Sequence, residues 1–227
     1  MRLEQVLKEL RSQASPENVK AMARFGIASS GTLGVSLPYL RGLSKKIGKD
    51  HALALRLWES GLHEARILAS LVDDPASVSP AQMESWASDF DSWDVCDQCC
   101  GNLFDKTKHA YRKALEWSNR PEEFVKRAGF SMMAELAVHD KRPSDAVFEG
   151  FLQAIIRGAD DDRNFVKKAV NWALRQIGKR NSKLNERALR VARELARSES
   201  RSARWVASDA IRELESEKVR RRISGSS

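Results

Sequence analysis

The second half of the sequence repeats itself with a shift of 41 residues. The segment Phe124–Ala128 aligns with Phe165–Ala169, and a further shift of 41 brings Val206 and Ala210 into the same register. In each copy a bulky apolar residue is followed four positions later by a small alanine. This pattern lets a neighbouring helix approach one face closely.

Further helical patterns lie between the copies, at 145–158 and 184–197. Helix pairs that recur at about 40 residues are typical of HEAT-like repeats. The first half also shows helical patterns and few strand signals; the helices predicted there are 3–13, 16–25, 37–48, 51–59, 62–72, 80–88, 92–104 and 106–117.

We therefore predict an all-α, right-handed α-solenoid that forms a single domain over residues 1–218, because no low-complexity linker divides the chain. Helices 124–137 and 165–179 are expected side by side on its concave face. A basic, disordered tail is predicted at 219–227.

Positive charge is concentrated in the last third of the chain. Residues 161–227 hold 18 Lys and Arg against 9 Asp and Glu, whereas the whole chain has a net charge of +8. The first 160 residues therefore carry a slight negative net charge. Such a distribution favours a surface that faces a polyanion, although a charge run of this kind also occurs on ordinary solvated helix faces.

The sequence contains no stretch of about 18 apolar residues, so no membrane partner is expected. Its first residues form an amphipathic pattern rather than the apolar core of a signal peptide. We expect a cytoplasmic protein.

Three cysteines fall within five positions, at Cys96, Cys99 and Cys100. Zinc sites need separated ligand pairs, and neither a second cysteine cluster nor a histidine pair at ligand spacing is present in the sequence. We predict that these cysteines fill the core, bind no metal and form no disulfide.

The same segment places Trp93 and Asp97 four residues apart, on one face of a predicted helix. Asp91 fits the N-cap, and Asp94 fits a capping-box position three residues later. Asp97 lies beyond the cap. It is either a functional carboxylate or the partner of a nearby arginine.

A second tryptophan, Trp172, lies beside Lys168 and Arg175 on a helix whose apolar stripe runs along another face. An indole beside cations is either a half-buried shoulder residue or a platform that stacks against a polyanion. Arg127 occupies the position of Lys168 in the preceding repeat.

These residues carry a resemblance to a known family. The segments "SWDVCDQ", "FVKRAGF" and "FVKKAVNWALRQ" resemble, in order and spacing, the motifs of the AlkD-like DNA alkylation repair glycosylases, which are HEAT-like repeat enzymes. The resemblance covers most of the chain and thins after about residue 185. Phe25, in "MARFG", stands where the family often has an aromatic residue with a hydroxyl.

The resemblance implies a DNA glycosylase that removes positively charged N3- and N7-alkylpurines without a cofactor or metal. Asp97 would be the catalytic carboxylate, and Trp93 and Trp172 would stack on the substrate. The implied contacts to DNA phosphates come from Arg127, Lys167, Lys168, Arg175, Lys179 and Arg180. The partner is double-stranded DNA that contains alkylated bases, and a monomer is expected. The protein would be associated with the nucleoid when it binds DNA.

Two other functions remain open on the sequence. A non-catalytic HEAT-repeat protein that binds damaged or structured DNA would use the same basic face without needing Asp97. A protein-binding solenoid would carry apolar or acidic anchors instead, which the basic last third of the chain disfavours.

Overall fold

The computed structural model describes residues 1–224, and every regular element within them is helical. The first half contains α1 (Leu3–Ser12), α2 (Pro16–Ala23), α3 (Leu37–Ile47), α4 (His51–Glu59), α5 (His63–Val72), α6 (Pro80–Ser88), α7 (Trp93–Asn102) and a 3-10 helix (Phe104–Lys106). The second half contains α8 (Ala110–Ser118), α9 (Glu123–His139), α10 (Asp145–Gly158), α11 (Asn164–Gly178), α12 (Ser182–Leu195), α13 (Arg201–Leu214) and α14 (Glu217–Ser224). The all-α prediction is confirmed. No helix within residues 1–224 combines the length and apolar character needed to cross a bilayer.

Capping residues determine where several helices begin. The hydroxyl of Ser15 accepts the backbone N–H of Asn18 at the start of α2, and Ser79 accepts that of Gln82 at the start of α6. A proline follows each serine, at a position where its missing N–H costs no helical hydrogen bond. Both helices therefore start where the sequence predicts.

The chain forms two compact units, one over Met1–Lys108 and the other beginning at His109. The sequence instead favours a single domain. Each repeat contacts mainly the adjacent repeats, so compact local units are expected in a repeat protein.

The connection before α8 differs from the prediction, which placed helices at 92–104 and 106–117. Helix α7 ends at Asn102, and α8 begins only at Ala110. The ammonium of Lys106 turns back and donates to the carbonyls of Gly101 (2.6 Å) and Asn102 (2.7 Å). A lysine that binds the last carbonyls of a helix stabilises its C-terminal end, and the chain then turns.

The core of the first unit contains a stacked indole pair and the three cysteines. The rings of Trp58 and Trp86 lie 4.1 Å apart and nearly parallel. Cys96, Cys99 and Cys100 are fully buried thiols. Their predicted place in the core is confirmed.

The second unit shows the repeat in its packing. Helices α9 and α11 lie side by side, as predicted, and the rings of Phe124 and Phe165 at equivalent repeat positions lie 5.5 Å apart. The small residues of the repeat, Ala128, Ala169 and Ala210, are fully buried. The 41-residue shift therefore corresponds to every second helix, α9, α11 and α13, whose small faces are covered.

The predicted disordered tail is corrected as far as Ser224. Residues 217–224 form α14, in which Val219 and Ile223 are buried. These two apolar residues are four positions apart and lie on one helix face, so the segment has a buried side despite its arginines. The rest of the predicted tail, residues 225–227, lies outside the described residues.

Candidate functional site

Helix α7 carries Trp93 and Asp97 one turn apart on one face, and both side chains are half-buried. The indole N–H of Trp93 donates to the carbonyl of Phe25 at 3.0 Å. The ring of Phe25 is itself 67% exposed. The hydrogen bond fixes the indole beside an exposed aromatic ring.

The start of α7 differs from the prediction. Its N-cap is Ser92 rather than Asp91, and Asp91 is an exposed residue whose carboxylate lies 3.4 Å from Arg66. Asp94 does not act in a capping box. Its Oδ1 accepts the N–H of Val95, and its other oxygen faces a histidine.

That histidine is His63, the first residue of α5, whose Nε2 lies 2.9 Å from Oδ2 of Asp94. Burial lowers the pKa of His63, but the hydrogen bond and charge of Asp94 outweigh it, and the pKa is raised overall. Burial likewise favours a higher pKa for Asp94, yet the hydrogen bond to His63 holds that pKa below its usual range. Both shifts favour the pair of an imidazolium and a carboxylate over the neutral forms. The sequence analysis missed it because the two residues are 31 positions apart.

His63 and Asp94 line a cleft of about 410 Å³ in the first unit. Its walls are mainly apolar and aromatic, with a few polar groups; they include Met22, Phe25, Val35, Leu37, Leu40, Ile67, Trp93 and Gln98. Trp93 is a predicted site residue and is among the described residues that line the cleft. Asp97 is not among them. The cleft and the Trp93–Asp97 face therefore meet at Trp93.

One wall of the cleft is held by a buried carboxylate. Glu64 is fully buried, and its oxygens accept the backbone N–H groups of Leu33 (2.9 Å), Gly34 (2.6 Å) and Val35 (3.2 Å). Gly34 has a φ of +77°, and a Cβ there would lie 2.4 Å from the carbonyl oxygen of Ser15. The loop at 33–35 therefore requires both this glutamate and this glycine.

Arg127, predicted to bind a phosphate, lies in the second unit and is only 6% exposed. Its Nη1 donates to the carbonyl of Phe165 at 2.6 Å. This contact ties α9 to α11. Contact between Arg127 and a phosphate stays a prediction, whereas its bond to the Phe165 carbonyl is part of the fold.

Three other predicted phosphate ligands have partners within the second unit. Arg175 and Lys179 both form ion pairs with Glu213, the lysine at 2.7 Å. Arg180 donates to the carbonyls of Ala137 (2.8 Å) and Asp140 (2.7 Å). Burial lowers the pKa of Arg180. These contacts join neighbouring helices, a role that the sequence analysis did not assign to the three residues.

The remaining predicted residues of the second unit are more accessible. Lys168 is exposed, and Lys167 and Trp172 are half-buried. The ammonium of Lys167 lies 5.3 Å from the ring centroid of Trp205. The site residues are therefore divided between the units, with Trp93 and Asp97 in the first and the other seven in the second.

Residues 6–214 match the protein family described as DNA alkylation repair enzyme. Uncharacterized protein Lin0241 of Listeria innocua and uncharacterized protein Lmo0209 of Listeria monocytogenes are each 23% identical over 198 residues, which cover 86% of this chain and 86% of the relative.

A solved structure superposes with a TM-score of 0.79 at 20% identity and covers 94% of this chain and 96% of its own. It is described as a new family of proteins related to the HEAT-like repeat DNA glycosylases with affinity for branched DNA structures. The likeness confirms the predicted HEAT-like repeat fold.

Proposed function

This chain belongs to the DNA alkylation repair enzyme family, and on that premise we propose that it is a monofunctional DNA glycosylase. Its substrates are N3- and N7-alkylated purines in duplex DNA. The observation that carries the proposal is the face of α7, on which the half-buried Asp97 lies one turn from an indole fixed by the Phe25 carbonyl.

The chemistry needs few groups. An N3- or N7-alkylated purine already bears a positive charge, so the base leaves as a neutral molecule and no general acid has to protonate it. Positive charge then develops on the sugar. A carboxylate held by a helix stabilises that charge and accepts a proton from the attacking water, and Asp97 has this role in the proposal.

The first unit also offers aromatic surface to a cationic base. A cation over an indole face gains about 0.5–2 kcal/mol, depending on how fully it is desolvated. The hydrogen bond from Trp93 to Phe25 holds the indole in one orientation, so little ordering is required when a ligand binds.

In the second unit, Lys168 and Lys167 are the proposed phosphate contacts, with Trp172 beside them on α11. Contacts of this type give affinity that depends on salt and little on sequence. Arg127, Arg175, Lys179 and Arg180 contribute to DNA binding mainly by fixing the helices that carry these groups.

The test is single-turnover release of N7-methylguanine from methylated duplex DNA by the purified protein. We expect the free base and an intact abasic strand, since a monofunctional enzyme does not cut the backbone. Unmethylated duplex is the control. If the methylated duplex is bound but no base is released, the glycosylase proposal is wrong.

A second candidate function is binding of branched DNA without catalysis. It is favoured by the likeness to the protein described as having affinity for branched DNA structures. Competition between a four-way junction and a linear duplex of equal length distinguishes the two. A strong preference for the junction, together with no excision, would support the non-catalytic function.

A further inference from the structure

Trp205 on α13 has an accessible indole. It is 41% exposed, whereas Trp58, Trp86 and Trp117 are buried and the tryptophans of the predicted site are half-buried. A single exposed apolar side chain is common on protein surfaces and needs no explanation by itself. The surroundings of this indole are what distinguish it.

One cation lies over the ring of Trp205, and others are exposed on α11 and α13. Lys167, from the neighbouring α11, lies over the ring at 5.3 Å from its centroid. Lys168 and Arg201 are exposed in the first turns of the same two helices. Arg204, next to Trp205, is exposed, and its Nη1 donates to the carbonyls of Ser198 and Glu199, both at 2.8 Å.

Acidic residues do not offset these cations on the two helices. Helix α11 contains no Asp or Glu, and the first acid of α13 is Asp209. Asp209 is already engaged by Asn171 at 2.7 Å and by Arg212. The exposed acids Asp162 and Glu199 precede the two helices, whereas the cations Lys167, Lys168 and Arg201 lie within them. The N-terminal ends of α11 and α13 therefore present an exposed indole beside an excess of cations, which is complementary to a polyanion.

The geometry points to single-stranded DNA as the ligand of this surface: we propose that Trp205 stacks on an unpaired base while Lys167, Lys168 and Arg201 contact the flanking phosphates. An exposed aromatic ring among cations is the usual arrangement for binding single strands. Bases of an intact duplex already stack on one another, so an indole gains a partner only where a base is unpaired.

The inference rests on the proposed interaction with DNA but not on excision. Trp205 belongs to the second unit, whereas Asp97 belongs to the first. The proposed excision assigns no role to Trp205, so loss of the indole is expected to leave single-turnover excision from intact duplex unchanged at saturating protein. Single-strand affinity and duplex excision are separate measurements, so either can fail alone.

The test compares variants by fluorescence anisotropy with labelled oligothymidylate. Trp205→Ala should weaken binding about tenfold, within the roughly 5- to 150-fold range expected for loss of one base–aromatic stack. Trp205→Phe keeps an aromatic ring and should stay within about threefold of wild type. Leu115→Ala, at another exposed apolar residue of the second unit, is the matched control and should bind like wild type.

Three results would overturn the inference. One is wild-type protein that binds duplex but not oligothymidylate. Another is equal oligothymidylate affinity for wild type and Trp205→Ala. The third is a change of oligomeric state in Trp205→Ala by light scattering, which would identify the surface as a contact between two copies of the chain. None of these results contradicts the glycosylase proposal, which depends on base release from duplex.

Discussion

Nε2 of His63 lies 2.9 Å from Oδ2 of Asp94, so a largely buried hydrogen-bonded pair joins the first residue of α5 to the first turn of α7. The backbone N–H of His63 also donates to the carbonyl of Gly31 at 2.9 Å. The pair therefore holds the start of α7, and with it Trp93, against the wall of the cleft. Removing one partner leaves the other buried and without its counter-charge.

The stability of the first unit should depend on the protonation of this pair. The pKa of His63 is raised from 6.5, so its contribution to the free energy of unfolding is complete below that value and disappears as pH rises through the folded pKa. The pKa of Asp94 is lowered from 3.8, so its contribution is present above that value and is lost as pH falls through the folded pKa. The pair stabilises most between these two values.

The measurement is urea unfolding of His63→Gln and wild type at about pH 5 and about pH 8.5. We expect the substitution to cost about 1.5–3 kcal/mol at the lower pH and clearly less at the higher one. His139→Gln, at a more exposed histidine, is the control. An equal loss at both values would show that the charge of the imidazole is not what stabilises α7.

The cysteines should be unreactive while the protein is folded. Burial raises the pKa of Cys99 and of Cys100 well above the usual range, and the thiolate is the reactive form. A thiol reagent should modify the native protein slowly and react with three equivalents after unfolding. Rapid modification of the native protein, or stoichiometric zinc in protein purified without added metal, would contradict the assignment of these residues to the core.

The repeat period explains why the helices are predictable from the sequence and why the partners of the basic residues are not. Helical periodicity gave the elements, because it depends on residues three or four positions apart. The partners of Arg127, Arg175 and Arg180 lie 38 to 43 residues away, about one repeat along the chain. A sequence pattern identifies these residues as cations but does not show that each one bonds to the equivalent helix of an adjacent repeat, the following one for Arg127 and Arg175 and the preceding one for Arg180.

In the candidate site, too, local features are predictable from the sequence and tertiary contacts are not. The face of α7 that holds Trp93 and Asp97 is predictable, since helical geometry alone brings residues i and i+4 together. The His63–Asp94 pair and the loop held by Glu64 are tertiary contacts over about 30 residues. The capping role assigned to Asp94 failed because the N-cap is Ser92 rather than Asp91, so Asp94 is the second rather than the third residue of the helix.

Arg127→Ala should destabilise the protein because it removes the donor to the Phe165 carbonyl from a buried position. A loss of about 1–3 kcal/mol in the free energy of unfolding is expected. DNA affinity should fall alike for all sequences, since Arg127 fixes the helices that carry the proposed phosphate contacts and such contacts carry no base information. Unchanged stability would show that the bond between α9 and α11 is dispensable.

Lys168→Ala is the matched comparison, because Lys168 is exposed on α11 and aligns with Arg127 in the repeat. Its stability should change by no more than about 0.5 kcal/mol. If Lys168 contacts one phosphate, the slope of log affinity against log salt should fall by about 0.9. Titration of duplex DNA at several salt concentrations gives that slope, and an unchanged slope would remove Lys168 from the DNA interface.

Asp97→Asn tests the proposed catalytic carboxylate. The substitution keeps size and hydrogen-bonding capacity but removes the negative charge that would stabilise a developing sugar cation. We expect single-turnover excision of N7-methylguanine to slow by about 10²–10³, equivalent to roughly 3–4 kcal/mol of transition-state stabilisation. DNA affinity should be maintained, because repulsion between a carboxylate and the phosphates is relieved.

Asp94→Asn, on the same helix, is the control that separates chemistry from stability. It removes the counter-charge of the buried His63, so the free energy of unfolding should fall. The excision rate of the folded variant should change much less than that of Asp97→Asn. Asp97→Asn should therefore lower the excision rate and keep the stability, whereas Asp94→Asn should lower the stability and largely keep the rate. If Asp97→Asn excises as fast as an active wild type, Asp97 has a structural role and the charge that stabilises the sugar cation must come from another residue.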